Sequence, residues 1–148
     1  MSRSPHLLFV LAPYYAHIAA LLRQGAERAA AAAGATCEIV EVPGAFELPP
    51  AIAFAAQAAE RFDGYVALGC VIRGETTHYD HICEETARAL QDMGVRDGLA
   101  IGYGILTVEN EAQALVRASP EGRDKGGEAV RACLALVDLK RRFQSEPR

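Results

Sequence analysis

The sequence lacks any apolar stretch near its start that could anchor it in a membrane. The run LLFVL at residues 7–11 falls far short of the roughly 20 residues that a bilayer-spanning helix needs. A secretory leader would need a longer apolar core and a small-residue cleavage site, and MSRSPHLLFVLAPYY supplies neither. A buried first strand is the expected use of this run. The four cysteines, Cys37, Cys70, Cys83 and Cys133, form no CxxC pair. They suit buried thiols in a reducing compartment better than a disulfide framework or a zinc site, which places the protein in the cytoplasm. A cationic excess is missing too: 15 Lys and Arg stand against 19 Asp and Glu, interspersed, for a net charge of -4. Nucleic-acid binding would need a basic stripe, so neither nucleic acid nor membrane is expected as a partner. An anionic ligand would have to be met by a local cluster of cations and backbone N–H groups. There is no internal repeat and no linker, and 148 residues fit one domain, 1–148, with one core.

What is present is an alternation of two periodicities. Residues 7–11 are continuously apolar, as in a strand covered on both faces. Ile18, Leu21, Leu22, Gly25, Ala26 and Ala29 recur at helical spacing within 15–33, and Gly34 supplies a stop. Residues 36–42 form the second strand, broken by Pro43-Gly44. A helix over 46–61 follows, with Pro49 and Pro50 tolerable only in its first turn. Residues 65–70 form the third strand, 71–77 a loop, 78–93 a helix, 94–98 a connection and 99–105 the fourth strand. Asn110 with Gln113 three residues on is a capping box. Residues 119–127 read as a polar, Gly-rich loop. In the final helix Val130, Cys133, Leu134 and Val137 share a face, and Lys140, Arg141 and Arg142 sit in the last turn. Strand–helix alternation of this kind implies an α/β fold, a four-stranded parallel sheet with helices on both faces.

Ligands of such sheets bind beyond the carboxyl ends of the strands. That rule selects residues 12–16, 42–47, 69–80 and 103–110. The strongest signal is GCVIRGETTHYD (69–80). Gly74 lets the backbone approach a ligand, Thr76 and Thr77 bring hydroxyls to a helix start, and the helix N-terminus offers free N–H groups and a positive dipole end to a phosphate. His78 lies beside it, placed to move protons. An ordinary capped helix with a surface histidine explains any one of these residues but not the cluster. In VPGAFELP (42–49), Glu47 either favours the helix dipole or accepts hydrogen bonds from a polyol. Tyr14 and Tyr15 can stack on a flat heterocycle, though a packing pair under a loop is the simpler account. Cys70 has no visible activating base and reads as a structural thiol. His6, His17 and His81 lack ligand spacing, and Arg117 and Lys125, taken alone, are solvated cations flanking a loop.

VPGAFELP, GCVIRGETTHYD, YGILTVEN and the later Arg117…Asp124-Lys125-Gly126 stretch together resemble the signature segments of the lumazine synthase family, in family order and over nearly the whole chain. The resemblance implies a flavodoxin-like three-layer fold and a homopentamer with active sites between neighbouring subunits. It implies the condensation of 5-amino-6-(D-ribitylamino)uracil with 3,4-dihydroxy-2-butanone 4-phosphate, in riboflavin biosynthesis, without metal or organic cofactor. Position by position, it makes Tyr14 the aromatic stacked on the pyrimidine. Ala45, Phe46 and Glu47 hold the ribityl chain and ring edge, with Val71 and Ile72 as backbone contacts to the ring. Gly74, Glu75 and Thr76 become the phosphate cradle, and His78 the proton-transfer residue. From the adjacent subunit come Tyr103 as a wall, Arg117 as the phosphate-binding arginine and Lys125 reaching the ring, with Glu128 orienting Arg117.

Two positions depart from the family pattern. Tyr15 stands where a small polar residue is common. The 119–124 loop lacks the Gly-Asn pattern of members that build sixty-subunit shells, so a free pentamer or a pair of pentamers is expected instead. A non-catalytic flavin-binding module and a purely structural assembly are the rival readings.

Overall fold

A computed structural model describes residues 3–58 and 62–145. In chain order it contains β1 (His6–Leu11), α1 (Ala16–Ala32) and β2 (Thr36–Glu41). A 3-10 turn (Ala45–Glu47) leads into α2 (Leu48–Gln57). β3 (Gly64–Ile72), α3 (His78–Asp97), β4 (Ile101–Val108), α4 (Glu111–Ala118) and α5 (Lys125–Ser145) complete the chain. The strands form one parallel sheet in the order β2-β1-β3-β4. The reason β1 is apolar throughout is visible in its alternation. Leu7, Phe9 and Leu11 pack with Leu22 of α1, Ala114 of α4 and Val130 of α5, while Leu8 and Val10 pack with Leu48 and Ile52 of α2 and Leu90 of α3. The sheet is thus the middle of three layers, the flavodoxin-like arrangement, with α1, α4 and α5 on one face and α2 and α3 on the other.

Several expected boundaries move. β3 runs on to Ile72, so Val71 and Ile72 are strand residues paired with Thr107 and Val108, not loop. α3 continues through Gly94 to Asp97 and stops at Gly98, whose φ of 65° is the left-handed cap that Gly94 does not provide. β4 correspondingly spans Ile101–Val108 in place of 99–105. The expected end of the second helix, at 59–61, lies outside the described residues. Half of the expected capping box is present: Asn110 Oδ1 accepts from Gln113 N at 3.0 Å, but the Gln113 side chain reaches one residue past the cap and accepts from Glu109 N at 2.8 Å. α5 extends to Ser145, so of the cations expected in its last turn Arg142 lies there, while Lys140 and Arg141 serve other ends. Lys140 Nζ donates to Gly98 O at 2.7 Å, at the C-terminus of α3, and Arg141 donates to Arg3 O at 3.0 Å.

The largest departure is at 125–127. Lys125, Gly126 and Gly127 are the first turn of α5, not loop. Gly costs about 1 kcal/mol in a helix interior relative to Ala, and packing offsets that cost here. A Cβ at Gly126 would collide with Leu22 O of α1 and lie 3.0 Å from Leu22 C and 3.2 Å from Ala26 N, all main chain. Gly126→Ala is therefore expected to destabilise the protein by about 1–3 kcal/mol through forced separation of α1 and α5, seen as a thermal midpoint several degrees lower. Further along α5, Cys133 is fully buried, its Sγ donating to Ala100 O at 3.5 Å, and burial pushes its thiol up to about 12.

Candidate functional site

Sheet order 2-1-3-4 reverses direction between β1 and β3, which opens a crevice above their carboxyl ends. β1 stops pairing at Leu11–Leu68, with one more bond from Ala12 N to Leu68 O at 2.9 Å, whereas β3 continues to Ile72. From Gly69 onward the β1-facing edge of β3 has no strand beside it among the described residues. Its backbone groups are open to a ligand there, which gives Val71 and Ile72 a physical basis for main-chain contacts.

Three chain segments close around that edge. The loop after β1 brings Tyr14 and Tyr15. The turn after β2 brings Pro43, Gly44, Ala45, Phe46 and Glu47. The end of β3 and first turns of α3 bring Cys70, Val71, Ile72, His78 and Ile82. They line an open cleft of about 680 Å³, within the usual range for small-molecule sites. Tyr14 is 71% exposed and its ring lies against Tyr15, centroids 4.9 Å apart and tilted by 32°. Tyr15 packs on the core, so Tyr14 presents a flat face held from behind. Burial raises the Tyr15 phenol, with smaller contributions from Cys70 and Tyr14. Glu47 is the last residue of the 3-10 turn and the N-cap of α2. Its carboxylate has no protein partner among the described residues, and neither does the exposed imidazole of His78.

The turn between β3 and α3 holds Gly74, Glu75, Thr76 and Thr77, all exposed. Thr77 caps α3 with helical backbone angles and no side-chain bond, while Thr76 Oγ1 accepts from His78 N at 3.2 Å. Cys70 is a further lining residue that the sequence marks only as a buried thiol. Burial pushes it up to about 11, so it stays protonated at neutral pH. Cys70→Ala is expected to leave turnover within about threefold of the unaltered protein, since a neutral thiol is a poor nucleophile. Steady-state kinetics would check this, and a loss of several orders of magnitude would reinstate Cys70 as a reacting group.

Tyr103, Arg117 and Lys125 do not join this cleft within one subunit. Tyr103, 43% exposed on β4, lines a separate apolar groove of about 510 Å³ with Leu90, Val95 and Leu136. Arg117 on α4 and Lys125 on α5 belong to the opposite helix layer from His78. Arg117 Nη1 donates to Gln113 O at 3.1 Å. Glu128 pairs with Lys125 at 2.8 Å, so within the chain its partner is that lysine and not the expected Arg117. Sequence reasoning selected the 42–47 segment without giving Pro43 or Gly44 a role, and it missed Ile82 altogether. The signal for Ile82 was its place one helical turn after His78, on the same face.

No cluster of three or more metal-ligating side chains occurs among the described residues. His6 is bonded to Thr36 and Glu38, and His17 to Glu111. Among the described residues no helix is long and apolar enough to cross a membrane.

Comparison with known proteins decides the family. The family model described as 6,7-dimethyl-8-ribityllumazine synthase matches residues 4–141. The chain belongs to that family. Among its lumazine synthase relatives, the Novosphingobium aromaticivorans protein is 54% identical over 136 residues, covering 92% of this chain and 96% of the relative. The 6,7-dimethyl-8-ribityllumazine synthase 1 of Rhizobium meliloti is 51% identical over 145 residues, covering 95% of each chain. The Bartonella tribocorum protein is 50% identical over 143 residues, covering 97% of this chain and 95% of its own. The family match over residues 4–141 takes in every segment around the cleft, together with α4 and most of α5, which carry Arg117 and Lys125.

Proposed function

We propose that the chain is a transferase that condenses 5-amino-6-(D-ribitylamino)uracil with 3,4-dihydroxy-2-butanone 4-phosphate. The products are 6,7-dimethyl-8-ribityllumazine, phosphate and two waters, in riboflavin biosynthesis in the cytoplasm. All 148 residues act as one domain, and the working unit is a homopentamer, free or paired. The reading is carried by one observation: the stacking ring of Tyr14, the free carboxylate of Glu47, the open edge of β3 and the imidazole of His78 converge on one cleft.

In this reading the pyrimidine stacks on Tyr14. Its ribityl hydroxyls bond to Glu47 and the 45–47 turn, and its ring edge to the main chain of Val71 and Ile72. The phosphate of the second substrate sits on Gly74, Glu75 and Thr76 at the start of α3, where free N–H groups and the helix dipole favour an anion. Arg117, Lys125 and Tyr103 of the adjacent subunit close the site. The amine attacks the ketone, and loss of water gives an imine. Phosphate then leaves, tautomerisation follows, and the ribityl-bearing nitrogen closes the ring on the remaining carbonyl with loss of the second water. Each step moves a proton, so His78 serves several of them. Alignment of the two substrates supplies much of the acceleration, of which correct positioning can contribute roughly 7–11 kcal/mol in favourable systems.

The test is to mix both substrates with the purified protein and follow the absorbance of the lumazine. Stoichiometric release of phosphate should accompany it. A yellow protein that holds flavin and is inert toward both substrates would replace this reading with a binding module. A large particle inert toward substrates and flavin would point to a structural assembly.

A further inference from the structure

Arg73 is the first residue beyond β3, and the proposed function gives it no task. Its main-chain N–H donates to Val108 O at 2.9 Å, extending the β3–β4 pairing by one residue. Its guanidinium Nε reaches both oxygens of Glu109, at 3.1 and 3.0 Å. Nη1 lies 3.4 Å from Asp80 Oδ1, and Cζ stands 4.3 Å from the centre of the Tyr79 ring. Tyr79 is itself anchored, being buried beside the side chains of Thr107 and Cys83. Glu109 is anchored too, through its N–H to the Gln113 side chain at 2.8 Å.

We propose that Arg73 is a positioning residue, a latch that fixes the turn 74–77 and the first turn of α3 against the end of β4. The inference rests on the reading of that turn as the phosphate cradle. The turn has little else to hold it: all four of its residues are exposed, and its described side-chain bond, Thr76 to His78 N, is local. Arg73 stands at one end of the turn and grips Tyr79 and Asp80 at the other, so one side chain sets the span between them. Two carboxylates already compensate its charge, which suits a strut and not a phosphate ligand. Single exposed ion pairs contribute little, but Nε shared between both oxygens of Glu109, a second carboxylate near Nη1 and a cation–π contact act together. Lysine has the charge without the separate nitrogens that reach Glu109 and Asp80 at once.

The experiment compares the unaltered protein with Arg73→Met, Arg73→Lys and Glu109→Ala. Arg73→Met is expected to raise KM for the sugar phosphate about tenfold while KM for the pyrimidine stays within about twofold, because misplacement falls on the cradle and not on the stacking wall. Inhibition by inorganic phosphate should weaken by the same factor. Arg73→Lys should fall between, and Glu109→Ala, outside the turn, should reproduce the split. Equal rises in both KM values, or an unchanged KM for the sugar phosphate in both Arg73→Met and Glu109→Ala, would overturn the latch. If the unaltered protein forms no lumazine, it is the proposed function that fails, and the two failures are thereby distinct.

Discussion

Arg117→Ala is expected to lower kcat/KM by about 100-fold or more, and His78→Ala by only about 10-fold, when both are measured by steady-state formation of the lumazine. A preorganised donor aimed at developing negative charge is worth on the order of 10² to 10³ in rate. In the proposed site Arg117 is such a group, since there it would meet the phosphate both on binding and as it departs. Its guanidinium is already partly oriented by the bond to Gln113 O at 3.1 Å, so little order has to be gained on binding. Water offers no substitute for a fixed, desolvated cation. A general acid–base side chain often contributes on the order of 10² to 10⁴, but His78 is exposed at the mouth of the cleft and water can take over part of its task. An inactive His78→Ala enzyme beside a nearly normal Arg117→Ala enzyme would reverse the ranking. It would make proton transfer, not anion binding, the dominant contribution.

The second large effect concerns where the site is. A double variant, Glu47→Ala with His78→Ala, damages the cleft of its own subunit, and Arg117→Ala removes the cation proposed to close the site from the adjacent subunit. Each alone should have little activity. If each site takes one wall from each of two neighbours, co-assembly of equal amounts should restore about a quarter of normal turnover. That fraction is the chance that a given boundary has an intact wall on both sides in a ring with head-to-tail contacts. Mixing the separately assembled proteins without subunit exchange should restore nothing. Failure of the co-assembled sample to exceed the two parents would place all the reacting groups on one subunit. That outcome would have to be squared with Arg117 and Lys125 lying in the opposite helix layer from His78.

Much of this architecture was readable from pattern alone, and the failures have definite causes. The doubly covered sheet follows from LLFVL, because only a strand with helices on both faces is apolar at every position. The cleft was legible because its parts are the segments after strand ends, and topology places those at one rim. The end of α3 was misread because Gly94 and Gly98 both satisfy the stop rule, and only the left-handed backbone at Gly98 distinguishes them. Gly126 and Gly127 were misread because local propensity argues against two glycines in a helix, while the contact that requires Gly126 lies about a hundred residues back, at Leu22. The pairing of Lys125 with Glu128 shows a similar limit. Spacing i, i+3 on a helix makes that partnership natural only once 125 is known to be helical.

The thiol of Cys133 has a use beyond packing. Sealed between sheet and helix, it can meet an alkylating reagent only when α5 lifts away from the strands. Its labelling rate at neutral pH therefore serves as an internal clock for opening of the protomer, against which the half-exposed Cys37 and Cys83, whose thiols burial also raises, report labelling without that opening. Bound substrates or subunit assembly that stabilise the closed protomer would slow that clock while leaving the two reference thiols on their own schedule, unless a ligand or neighbour also covers them.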